Sequence, residues 1–258
     1  MSSRAIWERK LSKKVKAGVC STQIETTRTK NYAKEGGSIV GKTILLNDGW
    51  EFAKSALDVT EPTSLGFAPV DLPHDWLIYD TTNLYENSIG WYRRYLDHSS
   101  SAHTFLHFEG VYMDCSLYVN REWIGDWKNG YTCFEFEITR ALRPGSNEIL
   151  VKVVHQSPNS RWYSGAGIYR DVWLKIREAD YLVNNGVYIS TKPNAGDPHG
   201  WTIEVESEVV LGSGNPARLT HTLLRKGQVL ARSGCTPDPT DGFELDRQSL
   251  VAEGVELW

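Results

Sequence analysis

From Gly90 onward, short runs of β-branched and aromatic residues alternate with turn-forming residues at close, regular intervals. The runs fall at about 91–97, 104–109, 114–120, 132–138, 148–154 and 168–177. Between them stand Asn120-Arg121, Asn129-Gly130, Pro144-Gly145 and Pro158-Asn159, pairs that favour chain reversal. No stretch carries the 3.6-residue apolar period of an amphipathic helix. Short strands that must each bury one face have few ways to do so, and a β-sandwich is the one that fits. The fold class expected is all-β.

The same signals extend in both directions. Upstream, Ile44-Leu45-Leu46, the turn Asn47-Asp48-Gly49 and Trp50-Glu51-Phe52 open the folded part near Thr43. Residues 54–90 form a long connection broken by Pro62, Pro69 and Pro73, and its mixed polar and aromatic content predicts order. Downstream of Glu178 the pattern restarts. Trp201, Ile203 and Val205 alternate with Thr202, Glu204 and Glu206, a half-buried strand with its carboxylates on a solvated face. Further strands at about 217–224 and 228–233 predict a second, smaller sandwich. The apolar Leu257-Trp258 predicts that this second sandwich is cut short. The domain boundaries expected are 1–42, 43–178 and 179–258.

Charge separates the first segment from the rest. Residues 1–40 hold nine Lys/Arg against three Asp/Glu, a net +6, which leaves −10 on the remainder of a chain whose total is −4. With no sustained periodicity, residues 1–42 read as a disordered basic leader. An acidic body is the wrong electrostatics for a nucleic-acid partner, which calls for a basic patch on the folded domain. No run approaches the roughly 20 apolar residues of a spanning helix, so no membrane partner is expected. The N-terminus lacks an apolar signal core, and cytoplasmic residence is the expectation. The four cysteines (Cys20, Cys115, Cys133 and Cys235) lack metal-binding spacing and are expected as free thiols, with a facing of Cys115 and Cys133 on neighbouring strands as the alternative.

The chemistry concentrates in Ser160–Leu174, whose first half mixes Arg161, Trp162 and Tyr163 with Gly165 and Gly167. Glycines at a strand entrance signal positive φ or close backbone approach, so the loop has a dictated shape. A guanidinium fork beside flat aromatic faces suits a polyol, whose hydroxyls accept and whose C–H faces stack. A core Trp and a structural Arg on a tight turn account for the same residues, and spacing does not separate the two.

Five motifs now stand in order: Leu72-Pro73-His74-Asp75-Trp76; Gly90-Trp91-Tyr92-Arg93-Arg94; Phe108-Glu109-Gly110-Val111; Val119-Asn120 with Gly125; and Ser160–Leu174. Together they resemble the N-terminal sugar-binding domain of glycoside hydrolase family 2, in its β-galactosidase branch, from about Thr43 to Ile176. Residues 180–258 resemble part of the immunoglobulin-like domain that follows it. The resemblance implies a jelly-roll β-sandwich followed by a partial immunoglobulin-like β-sandwich.

The resemblance also implies a division of labour. In the family the chemistry belongs to a (β/α)8 barrel whose two carboxyls stand roughly 5–5.5 Å apart in retaining enzymes. Only 80 residues follow position 178, where a barrel needs about 250. The chain alone is expected to be inactive and to hold no catalytic residue. It would instead position the galactosyl unit of a β-galactoside or related glycoside for that missing barrel.

Arg161 is expected to meet a sugar hydroxyl, with Trp162 as wall and Asn83 reaching the sugar. His74 and Asp75 are expected as binding-site residues that chiefly buttress the loop. Trp91 is expected in the core, and Arg170 with Asp171 as a structural pair. Arg161 stands where other members place a metal-linked acid, so no metal and no cofactor are expected. A stand-alone carbohydrate-binding module and a structural module that assembles as a homo-oligomer are the alternatives.

Overall fold

The computed structural model describes residues 19–26, 41–79, 82–98, 103–158, 165–197, 199–237 and 242–253. They divide into two compact units: Gly41–Arg177, and a second that joins the N-terminal strand to the chain from Glu178 onward. The strands are β1 (Val19–Thr26), β2 (Lys42–Leu45), β3 (Trp50–Ser55), β4 (Ala68–Val70), β5 (Ser88–His98), β6 (His103–Phe108), β7 (Cys115–Val119) and β8 (Glu122–Trp127). They continue with β9 (Phe134–Glu137), β10 (Gly145–His155), β11 (Val172–Arg177), β12 (Asp180–Pro193), β13 (Trp201–Leu211), β14 (Ala217–Arg225), β15 (Gln228–Cys235) and β16 (Phe243–Ala252). The all-β expectation holds.

The unit Gly41–Arg177 has two sheets, in the orders β4-β3-β5-β10-β7-β8 and β2-β11-β6-β9. The period of two in each strand makes this a sandwich. Along β10, Asn147, Ile149, Val151, Val153 and His155 are buried while their neighbours are only partly covered. On β5, Tyr92 and Leu96 join the central apolar cluster with Leu106, Phe108, Leu117 and Val151. Trp91, Arg93 and Tyr95 must then point to the opposite face of the same sheet.

The Asn120-Arg121 turn connects β7 to β8 with both residues at positive φ, 51° and 69°. Paired positive φ in a two-residue connection matches the right-handed twist of the strands. Neither β4 nor β8 stands among the strands predicted from sequence. Both are outermost in their sheet, and Glu122, Gly125 and Asp126 interrupt the apolar run of β8.

In the second unit the sheets run β1-β14-β15 and β12-β13-β16. Ile203, Val205, Val209 and Leu211 of β13 are buried, and Glu206 faces out to pair with Arg247 at 2.9 Å. Burial and the Asp246 carboxylate push the Cys235 thiol up to about 12. Cys115, Cys133 and Cys235 are free. The disordered-leader expectation fails for Val19–Thr26, which pairs antiparallel with β14 from Val19↔Leu224 to Thr26↔Ala217. Its mixed polar sequence gives little periodicity, but an edge strand needs main-chain complementarity more than an apolar face.

A chain that begins at Gly41 is therefore expected to lose amide protection at alternate β14 positions, those that bond to β1. The amides that bond to β15 should keep theirs. Residue-resolved hydrogen exchange on the two chains checks this, and equal protection throughout β14 would contradict the pairing.

Candidate functional site

The strand expected from Ile168 begins only at Val172, because the residues before it bond elsewhere. Trp76 N–H donates to the Ala166 carbonyl at 3.0 Å and His74 N–H to the Ile168 carbonyl at 2.8 Å. On the other side, Gly167 and Tyr112 exchange a reciprocal pair of main-chain bonds, 2.7 and 2.9 Å. Residues 166–168 are thus held from both flanks. Gly167 sits at φ 136°, and a Cβ there would overlap the His74 carbonyl oxygen and the Tyr92 hydroxyl. Only glycine meets both conditions.

Asp75 completes this clamp. Its buried Oδ1 accepts from the backbone N–H groups of Leu77 (2.9 Å), Ile78 (3.2 Å) and Ala166 (3.0 Å). A carboxylate shared by three amides is a charge-assisted anchor. It ties the Leu72–Trp76 motif to Ala166, in the middle of the Ser160–Leu174 motif.

A second clamp lies just upstream of residues 159–164. His155 Nδ1 shares a hydrogen bond of 2.5 Å with the Glu86 carbonyl, and Ser157 N–H donates to Asn87 Oδ1 at 2.7 Å. Asn83 Nδ2 donates to Glu86 Oε2 at 2.7 Å, and Lys54 Nζ lies 2.9 Å from both Glu86 carboxylate oxygens. Trp76 Nε1 donates to Ser88 Oγ at 3.1 Å, which links the two clamps. The Trp76 ring lies against Gly90, where a Cβ would overlap it.

His74 lies over this platform. Its ring centroid is 4.8 Å from Phe52, 5.6 Å from Tyr92 and 6.4 Å from Tyr79. Nδ1 and the Tyr92 hydroxyl share a 2.8 Å hydrogen bond. Burial holds the imidazole below the ordinary histidine range, against the opposing charge of Asp75. Tyr79 and Tyr85 stand largely exposed on the connections around it, 76% and 77% accessible. Such faces are open to a flat, partly apolar ligand.

Of the residues expected to bind substrate, His74, Asp75 and Asn83 all belong to this platform. Arg161 and Trp162 lie outside the described residues. Trp91 is buried, but outside the central cluster, with Nε1 donating to Ser55 Oγ at 2.9 Å. Arg170 and Asp171 are not a pair. Asp171 accepts from Asn47 Nδ2 at 2.9 Å, while the Arg170 guanidinium lies 5.0 Å over the Tyr169 ring, because successive residues project apart. Tyr92, Tyr112 and Glu86 are contributors that sequence alone does not single out, since their partners are distant in the chain.

Gly167→Ala should lower the stability of this unit by about 2–4 kcal/mol, through strain and overlap, measured by denaturant unfolding. For His74 the folded state favours the neutral ring, while the unfolded chain titrates near the ordinary value of about 6.5. Its contribution is complete above that pH and is lost as the pH falls below it. Unfolding midpoints taken from neutral pH downward should fall less steeply in His74→Gln than in the native chain.

Residues 65–177 match the family model described as glycosyl hydrolases family 2, sugar binding domain. A β-galactosidase of Bacteroides ovatus is 33% identical over 166 residues, 56% of this chain and 19% of that protein. A β-glucuronidase of Bacteroides fragilis is 33% identical over 167 residues, 57% of this chain and 23% of its own length. The crystal structure of a glycosyl hydrolase family 2 member from Bacteroides cellulosilyticus superposes on 84% of this chain and 32% of that one, with a TM-score of 0.67 and 26% identity. The chain spans about a fifth of the length of the curated relatives it matches. Motif order, sandwich and clamped loop all converge with these matches, and residues 65–177 carry the sugar-binding domain of glycosyl hydrolases family 2.

Proposed function

We propose that this chain positions the non-reducing glycosyl unit of a β-galactoside, or of the related β-glucuronide class, for a catalytic (β/α)8 domain supplied by a longer polypeptide. The observation that carries this is the double clamp around residues 159–164. Ser157 is tied to Asn87 on one side, and Ala166–Ile168 to His74, Trp76 and Tyr112 on the other. A segment whose two ends are fixed loses less freedom when it meets a ligand, so more of each contact appears as binding. Arg161 and Trp162 belong to that segment by sequence, and Asn83 to the platform that holds its upstream flank. In this role Arg161 donates to ring hydroxyls and Trp162 covers a C–H face. Holding the ring in one orientation favours the reacting geometry at a distant bond.

The B. ovatus and B. fragilis relatives carry two different substrate names, and a guanidinium serves either sugar. It donates to the hydroxyls of a galactoside and pairs with the carboxylate of a glucuronide. The galactoside is placed first because the Arg-Trp-Tyr-Ser-Gly segment resembles that branch.

Nitrophenyl β-galactoside and β-glucuronide mixed with the 258-residue chain should show no turnover above background. In a polypeptide that joins this chain to a family barrel, Arg161→Ala should reduce kcat/KM on the preferred glycoside about tenfold or more. Unchanged kinetics there would count against sugar positioning and favour an assembly role.

A further inference from the structure

Away from the clamped loop, a groove of about 580 Å³ opens on the outer face of the six-stranded sheet. Its floor is Trp91, Arg93 and Tyr95 of β5, Leu150 and Glu148 of β10, and Tyr118 of β7. The connection from Thr60 to Phe67 walls one side, and Arg121 of the β7–β8 turn stands at the margin. The size falls within the roughly 300–1,000 Å³ of small-ligand sites.

The lining charges cancel, with Arg93 and Arg121 against Glu61 and Glu148. Arg93 is held in place: its Nε and Nη2 both reach Glu51 Oε2, at 2.9 and 2.8 Å, and its guanidinium lies 4.0 Å over the Phe67 ring. Among the described residues Arg121 has no ion pair or hydrogen bond, and neither does the Tyr118 hydroxyl. Tyr95, itself 53% exposed, donates its hydroxyl to Glu148 at 3.3 Å.

We infer that this groove is a second saccharide site, one that takes a neutral oligosaccharide. Strands β5, β10 and β7 are adjacent, and their main-chain groups are committed to each other across the floor. A ligand is therefore read by side chains alone, which leaves no place for an added peptide strand. The side chains offer donors in Arg93 and Arg121, acceptors in Glu61 and Glu148, and hydroxyls that serve as both. Tyr95 and the partly exposed Tyr118 add aromatic surface among them, while Trp91 lies buried beneath. A sugar chain presents the complement, with hydroxyls around its rim and C–H groups on its faces. With Arg93 neutralised by Glu51, Glu61 and Glu148 outnumber Arg121, which selects against a uronate polymer. The groove shares no lining residue with the clamped loop, and its role is to hold a stretch of saccharide.

The test is a titration of the isotopically labelled 258-residue chain with cellotetraose, with β-1,4-galactotetraose and, as the charged comparison, with tetragalacturonate. At least one neutral tetrasaccharide should move the Trp91 indole N–H and the amides of Thr63, Phe67, Tyr118 and Leu150. Arg121→Ala and Tyr118→Phe should each weaken that binding by about threefold or more, roughly the worth of one hydrogen bond, and the same spectra report whether each variant is folded. No shift with either neutral sugar would overturn the proposal. So would shifts confined to residues 74–79 and 166–168, or binding that both variants retain in full. Tighter binding of tetragalacturonate would overturn the assignment of a neutral ligand.

Discussion

The long antiparallel pairing of β5 with β10, from Gly145↔His98 to His155↔Ser88, is the constraint on which the rest of the first unit depends. It lies in the middle of the six-stranded sheet, so both strands have partners on either side. The pleat then assigns every residue to a face. Tyr92, Leu96, Ile149 and Val151 enter the core, while Trp91, Arg93, Tyr95 and Leu150 face outward. A slip of one residue would exchange the two sets, and burial of the apolar set forbids it. The same pairing brings His155 beside Ser88, and from there the clamp at Glu86 and Asn87 is within reach.

At the loop end of the unit, residues 166–168 are positioned by main-chain and carboxylate bonds to distant segments. Gly167 exchanges two bonds with Tyr112, and Asp75 collects three amides, two from the neighbouring Leu77 and Ile78 and one from the distant Ala166. These contacts are buried, where an unmet amide is costly, so the arrangement is cooperative: the loss of one partner leaves several groups unsatisfied. Rigidity at the base of residues 159–164 follows from that cost. It is also the property a substrate-positioning segment requires.

The two candidate saccharide surfaces are built on different principles. The loop platform gathers residues from several motifs by main-chain bonds and leaves His74 half-buried against Phe52 and Tyr92. The outer groove instead uses the side-chain face of three adjacent strands, with Arg93 fixed by Glu51 and Phe67. The strand pairing itself separates them, since its pleat and its end serve different surfaces.

Much of this was legible in the sequence. The alternation in Ile149-Leu150-Val151-Lys152-Val153, the Asn120-Arg121 turn and the absence of helical periodicity follow from backbone geometry that neighbours in the chain already determine. The motif Leu72–Trp76 was visible because its residues are contiguous. The partnership of Gly167 with Tyr112, and that of Asn83 with Glu86 and Lys54, were not. Nor was the pairing of Val19–Thr26 with β14, or the groove between β5 and the Thr60–Phe67 connection. Those depend on which segments meet in space, and the entropy of closing long loops gives no local trace of that choice. The sequence by itself determined strands, turns and faces, because each is a property of adjacent residues. Only the tertiary structure decided which faces and loops come together, because buried hydrogen bonds and packing are satisfied jointly by residues far apart in the chain.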